Sequence, residues 1–217
     1  MSKIQRSQFQ TVVYEHRKQE IVTASLTVFQ QRGCFGFRVE DVAECAGIAK
    51  GSVYAHFESR TDLLAAALEQ LENTIVAEYR KRLLMLPSPA AFTARLSLLA
   101  EILLSRRTDC KGGSALFHLP CALKNSGLTP ESRLMRDLIV PLLREGQHLG
   151  LLDSGIPAQG LAHMFLAILN SLFIREAARD AQAGNQVHWM AVDFFIRGAR
   201  CEEPFAPRPH SVPVAAE

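Results

Sequence analysis

The sequence predicts an all-α chain, and three observations carry that prediction. Apolar residues recur at three- and four-residue intervals, the spacing of one helix face. No stretch alternates convincingly as a half-buried strand would. Glycine, proline and cap residues fall between the periodic segments, where helices start and stop.

The first helix runs through RKQEIVTASLTVFQQRG, with Ile21, Ala24, Val28 and Phe29 on one face and Gly33 at its end. The second, VEDVAECAG, turns Val39, Val42, Ala43 and Ala46 inward, and Gly47 takes the position that tolerates a left-handed backbone. After a tight turn a third short helix, KGSVYAHF, begins at Lys50. Ser59, with Asp62 three residues on, caps a long fourth helix that reaches Pro87 and joins two modules.

Ser88-Pro89 opens a helix to about Arg107, which DCKGG closes, and Pro120 breaks SALFHLPCALKNSG in its middle. Thr129-Pro130 opens another helix to about Gly146. Pro157 opens a segment apolar almost all round from Leu161 to Ile174, and the last helix, NQVHWMAVDFFIRGAR, aligns Val187, Met190, Ala191, Phe194, Phe195 and Gly198. A helix apolar on every side must be buried on every side. The economical cover is the same pair of helices from a second copy, giving a homodimer with Phe165 and Phe194 in its seam.

These boundaries predict a three-helix module at 1–60 whose first residues are a flexible arm, a larger helical body at 61–203, and a disordered tail at 204–217 with four prolines and no periodicity. The arm carries Lys3 and Arg6; a solvated tail is the plain reading, and a reach into a neighbouring minor groove the alternative.

Composition excludes several classes. Nearly half the residues are apolar and the net charge is only +2, so disorder is not expected and charge alone does not announce nucleic acid. Residues 1–60 hold eight Lys and Arg against six acidic residues, leaving the remainder neutral. Five cysteines at unrelated spacings, without a CxxC pair or a His at metal-ligand interval, predict a reduced protein with neither metal nor cofactor. The N-terminus lacks the apolar core of a signal peptide, and MFLAIL is too short to cross a bilayer, so a cytoplasmic location with no membrane partner is expected. No Ser/His/Asp spacing, paired carboxylates or phosphate loop stands out, so the expectation is not an enzyme.

Two short helices joined by a tight turn form a helix-turn-helix, in which the first buttresses and the second stands proud of the surface. In KGSVYAHF, Val53 and Phe57 are four apart and anchor inward, leaving Lys50, Ser52, Tyr54 and His56 outward. Gly51 keeps the helix end slim. Lysine supplies a point charge for phosphate, and Tyr54 a hydroxyl on a rigid arm, a face suited to a major groove. An ordinary αα-hairpin with a solvated polar face fits the same spacing.

The segment VEDVAECAGIAKGSVYAHFESRTDLL resembles the DNA-binding signature of the TetR family of transcriptional repressors: Asp41-Val42-Ala43, Ala46-Gly47-Ile48, Lys50-Gly51-Ser52-Val53-Tyr54, His56-Phe57 and Asp62-Leu63-Leu64. The resemblance implies phosphate contacts at Lys50, Tyr54 and His56, base-edge contacts around Ser52 and Ala55, and a backbone-facing cation at Arg60. It further implies a homodimer on a palindromic double-stranded operator, released by a small molecule, with the long helix carrying movement between module and body. Arg38 and Ala49 depart from the pattern, which has Ser or Thr at both places; Arg38 compensates only by reaching a phosphate.

For the effector, Pro120 is the informative residue, because a broken helix leaves space and unpaired carbonyls. Phe117, His118, Cys121, Met164 and Phe173 are the candidate walls of a site for an apolar or aromatic molecule, although core and dimer interface account for the same residues. Two other readings stand beside the ligand-responsive repressor: a DNA-binding protein of this fold controlled by a protein partner, and a helical lipid- or metabolite-binding module that no longer binds DNA.

Overall fold

A computed structural model describes residues 3–87, 91–105, 132–171 and 184–200. Every regular element among them is helical: α1 (Lys3–Gly36), α2 (Val39–Cys45), α3 (Lys50–Tyr54), α4 (Arg60–Leu83), α5 (Phe92–Ser105), a π-helical turn (Met135–Ile139) running into α6 (Val140–His148), α7 (Ala158–Asn170) and α8 (Gly184–Ala199).

The first helix reaches back to Lys3 rather than starting near Arg17. No glycine or proline interrupts residues 3–32, and burial of Ile21, Val22, Ala24, Val28 and Phe29 anchors the C-terminal half from which the helix propagates. Gly33 breaks the helical run at φ 68°, ψ −177°, the left-handed half of the map that only glycine enters cheaply. α1 lies against α2 and α4, so the first four helices share one core.

α4 is the longest element after α1, and both of its ends behave as the sequence predicts. Ser59 is its N-cap: Oγ accepts from the Asp62 backbone N–H at 3.1 Å and donates to the Asp62 carboxylate at 2.8 Å. Arg80, Lys81 and Arg82 sit in its last turn, where cations complement the helix dipole. Its inward residues Leu63, Leu64, Leu68, Leu71 and Ile75 belong to a single apolar cluster that runs from Ile21 to Ala199. No break in that cluster falls at residue 60.

Polar ties fasten α4 to the body. The buried Glu72 carboxylate accepts from Ser132 Oγ at 2.6 Å, Arg133 N–H at 2.9 Å and Leu134 N–H at 3.4 Å, so it caps the helical segment that begins there. Glu69 pairs with Arg133 at 2.8 Å, and Arg82 donates to Glu101 at 2.6 Å. Farther along, Tyr79, Arg95 and Glu145 meet: Arg95 is ion-paired with Glu145, and burial pushes the Tyr79 phenol up against the opposing pull of Arg95.

The π turn precedes Pro141, which has no backbone N–H and whose ring crowds the carbonyl four residues back; widening the turn relieves both problems. Gly146 lets α5 approach α6, since a Cβ there would stand 2.6 Å from the Phe92 ring.

α7 buries Leu161, Ala162, Phe165 and Leu169 and leaves His163, Met164 and Ala167 outward, so its own described residues cover only part of it. In α8 the expected stripe divides. Val187, His188, Ala191, Val192, Phe195, Ile196 and Ala199 face inward, whereas Met190, Phe194 and Gly198 face outward with Trp189. Phe165 is fully buried against Phe195, ring centroids 5.1 Å apart in an edge-on pair. It is core, and Phe194 is surface.

Candidate nucleic-acid interface

The turn between α2 and α3 is built by backbone bonds. Gly47 lies at φ +65°, its N–H donating to the Glu44 carbonyl at 3.1 Å, and the Ile48 N–H returns to the Ala43 carbonyl at 3.0 Å. Val53 (1 % exposed) and Phe57 then hold α3 down from one side. Lys50, Gly51, Ser52, Tyr54 and Ala55 are exposed on the other, and His56, just past the helix end, is half-buried.

Gly51 is informative because nothing inside the chain requires it. Its backbone is ordinary, and a Cβ placed there would meet no atom within 4 Å. The position is slim toward the outside. Gly47, by contrast, has a conformational reason to be glycine.

Lys50 Nζ contacts Glu40 Oε1 at 2.5 Å and lies 5.8 Å from the Tyr54 ring centroid. The hydrogen bond between them raises the Lys50 pKa and lowers that of Glu40, and both side chains are about half exposed. Arg32 pairs with Asp41 at 3.4 Å. Arg60 donates from Nε to the Phe37 carbonyl at 3.1 Å and stacks its guanidinium over that ring at 5.7 Å, so part of its donor fork fastens α4 to the end of α1. Arg38 and Ala49 occupy the N-cap positions of α2 and α3 and make no side-chain cap. Glu40 and Asp41 in the first turn of α2 offset part of that loss through the dipole.

His56 brings in a residue that local pattern reading misses. Its ring lies 4.3 Å from that of Tyr14, centroid to centroid, and its Nδ1 is buried without a hydrogen-bond partner among the described residues. Tyr14 and Glu40 therefore join the site. Little in the sequence marks them: Tyr14 stands among other apolar residues, Phe9, Val12 and Val13, and Glu40 is a carboxylate ten residues before Lys50.

Of the five effector candidates, Phe117, His118, Cys121 and Phe173 lie outside the described residues, as does Pro120. Met164, on α7 beside the buried Leu161 and Phe165, is 45 % exposed, and among the described residues nothing encloses it. A cleft of about 760 Å³ lies elsewhere, lined by Lys18, His56, Phe57, Asp62, Glu72 and Arg136 among others. Among the described residues no cluster of His, Cys, Asp and Glu fits a metal ion, and no helix is long and apolar enough to cross a membrane.

A helix held proud of an all-helical chain by a left-handed glycine turn, with its outer face uncovered, defines the class: a helix-turn-helix protein. Residues 21–67 match the family described as bacterial regulatory proteins, tetR family. The HTH-type transcriptional regulator CymR of Pseudomonas putida is 36 % identical over 64 residues, which is 30 % of this chain and 32 % of the relative. The HTH-type transcriptional repressor KstR2 of Rhodococcus jostii is 32 % identical over 65 residues, again 30 % and 32 % of the two lengths. The chain thus spans about a third of the length of the curated relatives it matches. A tetR family transcription regulator from Shewanella sp. PV-4 shares the fold over 84 % of this chain and 97 % of its own, with TM-score 0.59 at 18 % identity. The multidrug binding protein EbrR, solved with imidazole, does so over 87 % and 97 %, with TM-score 0.56 at 22 % identity. Signature, relatives and fold all indicate the TetR family.

Proposed function

We propose that this chain is a ligand-responsive transcriptional repressor that binds a palindromic operator as a homodimer and is released by a small apolar or aromatic molecule. Its reading module is 1–60 and its effector and dimerisation body 61–203. The observation that carries the reading is the uncovered face of α3: Gly51, Ser52, Tyr54 and Ala55 are exposed, and the glycine answers no need of the chain itself. Lys50, Tyr54 and His56 contact phosphate, Ser52 and Ala55 face base edges, and Arg38 and Arg60 approach the backbone at the rim. Lys50 exchanges Glu40 for a phosphate when DNA docks.

The second copy docks on the outer faces of α7 and α8, where Met164, Met190 and Phe194 are about half or more exposed. Two recognition helices fixed by that dimer require half-sites about one turn of DNA apart. An effector that favours another spacing of the two helices releases DNA; coupling of about 1–3 kcal/mol lowers operator affinity roughly 5- to 150-fold. The site for it is proposed around Phe117, His118, Cys121, Met164 and Phe173, and the likeness in fold to EbrR, a multidrug binding protein, is in keeping with a small-molecule effector.

The test begins with selection of duplexes from a random pool by the purified full-length chain. Palindromic sequences should emerge. Lys50→Ala should weaken binding to all of them and flatten the salt dependence by about one unit, while Ser52→Ala should change which bases are preferred. Unchanged affinity and salt slope in both Lys50→Ala and Tyr54→Ala would remove the assigned face. Operator binding that no small molecule relieves would favour control by a protein partner instead.

A further inference from the structure

The ion pair that joins the two helices of the helix-turn-helix lies on its exposed side. Glu40 is the second residue of α2 and Lys50 the first of α3, so a carboxylate from the start of one helix meets the ammonium at the start of the other, Nζ to Oε1 2.5 Å. Lys50 remains 50 % and Glu40 59 % exposed in that contact. The other carboxylate of the turn is engaged elsewhere, since Asp41 pairs with Arg32 at 3.4 Å.

The fold gives little reason for Glu40. An exposed ion pair adds little to stability, because water screens both charges and two long side chains are held in one geometry. Asp41 already places a negative charge in the first turn of α2, where the helix dipole favours one. Toward DNA the same carboxylate has a definite effect: it takes up one of the donors, and the charge, that Lys50 would give a phosphate. Residues 38–60 hold Arg38, Lys50 and Arg60 against Glu40, Asp41, Glu44 and Glu58, a net of −1, so one charge more or less is a large share of what this segment presents.

We infer that Glu40 is an affinity-setting residue for DNA: its carboxylate neutralises Lys50 in place of a phosphate and holds down the attraction of the chain to any duplex. A phosphate that reaches Lys50 either displaces the carboxylate or shares the ammonium with it, and in both cases like charge stands beside like. Attraction that ignores sequence comes almost entirely from cations that meet phosphates and release counterions. The Glu40–Lys50 pair is neutral as a unit and adds little to it. Non-specific binding is thereby kept weak, and base contacts decide where the chain rests. The inference rests on the DNA-binding reading and deepens it.

Two duplexes serve as probes, the tightest one selected by the wild-type full-length chain and a shuffled one of the same composition, with affinity measured by fluorescence anisotropy between about 50 and 200 mM KCl. Glu40→Gln keeps the shape of the side chain and removes its charge. It should bind both duplexes more tightly than wild type and steepen log affinity against log salt by about 0.9 for each docked recognition helix, the opposite of Lys50→Ala. Its advantage should then be roughly 3.5-fold larger per helix at about 50 mM than at about 200 mM. The preferred bases should stay the same. Glu44→Gln makes the same charge change one turn farther along α2, outside the Lys50 pair, and should gain less. Unchanged or weakened binding in Glu40→Gln, where Lys50→Ala does weaken binding, or an equal gain in Glu44→Gln, overturns this inference alone. So does a change of preferred bases in Glu40→Gln without a gain on the shuffled duplex, which would make Glu40 a base contact. If neither wild type nor Glu40→Gln selects any duplex, the DNA-binding reading falls with it.

Discussion

Phe165 and Phe194 look equivalent in sequence, two aromatics on terminal apolar helices, yet they should respond to substitution through different equilibria. Phe165 has no exposed surface and meets Phe195 edge-on at 5.1 Å. Truncation to alanine removes its transfer energy and leaves a cavity, about 3–5 kcal/mol, and the lost ring pair adds about 0.5–1.5 kcal/mol. Against a total stability on the order of 5–15 kcal/mol, Phe165→Ala should unfold at far lower urea, and Phe165→Glu should not fold.

Phe194 is 69 % exposed in the single chain, so Phe194→Ala should leave the folding of one chain within about 0.5 kcal/mol. If it lies in the proposed seam, two copies are lost per dimer. Full burial of such a ring is worth roughly 1.5–3 kcal/mol, and about two-thirds of that, taken twice, weakens the dimer by about 2–4 kcal/mol, or 30- to 800-fold in dissociation constant. Sedimentation equilibrium from nanomolar to micromolar protein reads the second effect; urea unfolding at fixed concentration reads the first. Phe194→Glu should be a folded monomer with weakened operator binding. A wild type that is monomeric at micromolar concentration, or a Phe194→Glu chain with wild-type dimer mass, refutes the seam. A loss below 1 kcal/mol for Phe165→Ala refutes the packing argument.

Glu72→Ala orphans three donors at the start of the helical segment from Ser132, and should cost about 3 kcal/mol by urea midpoint with an unchanged slope; a shift within 0.5 kcal/mol would mean that water replaces the carboxylate freely. His188 titrates below its ordinary value, chiefly because burial disfavours the imidazolium, with Arg82 pushing the same way and Glu101 opposing. Its folded pKa is therefore below its unfolded one, so the unfolded chain binds the proton first and stability falls as pH drops below about 6.5. His188→Leu should show a smaller loss of melting temperature between pH 7.5 and 5.5 than wild type, and an equal loss would assign the acid sensitivity elsewhere.

What the sequence makes legible is local. The left-handed turn at Gly47, the anchors Val53 and Phe57, and the Ser59–Asp62 cap each depend on residues within five positions of one another, and all three stand as read. The ties that complete the site and the body join distant residues: Tyr14 with His56, Lys50 with Glu40, Glu72 with Ser132. Periodicity carries no information about which helices meet. The phase of α8 fails for another reason, since Met190 and Phe194 on its outer face are as apolar as Val187 and Phe195 within, and hydrophobicity alone does not say which stripe its own chain covers.

The position of the ties constrains how any signal could travel. α4 spans 24 residues, about 36 Å. It is held at its start by the Ser59 cap and the Arg60 contact with Phe37, midway by Glu69 and Glu72, and near its end by Arg82. Because the apolar cluster passes residue 60 without a break, the proposed reading module shares its core with α4 and is expected to turn with it. Room for turning lies on the side of the cleft, where Lys18, His56 and Glu58 face Ser132, Arg133 and Arg136. In the release mechanism proposed above, a displacement of the segment that begins at Ser132 therefore pulls on Glu72 first. Glu72→Gln, which keeps the shape but weakens the charged anchor, should leave operator affinity near wild type while reducing the fraction by which an effector lowers it. A full effector response in a Glu72→Gln chain would show that the signal reaches α4 by another tie, such as Arg82 with Glu101.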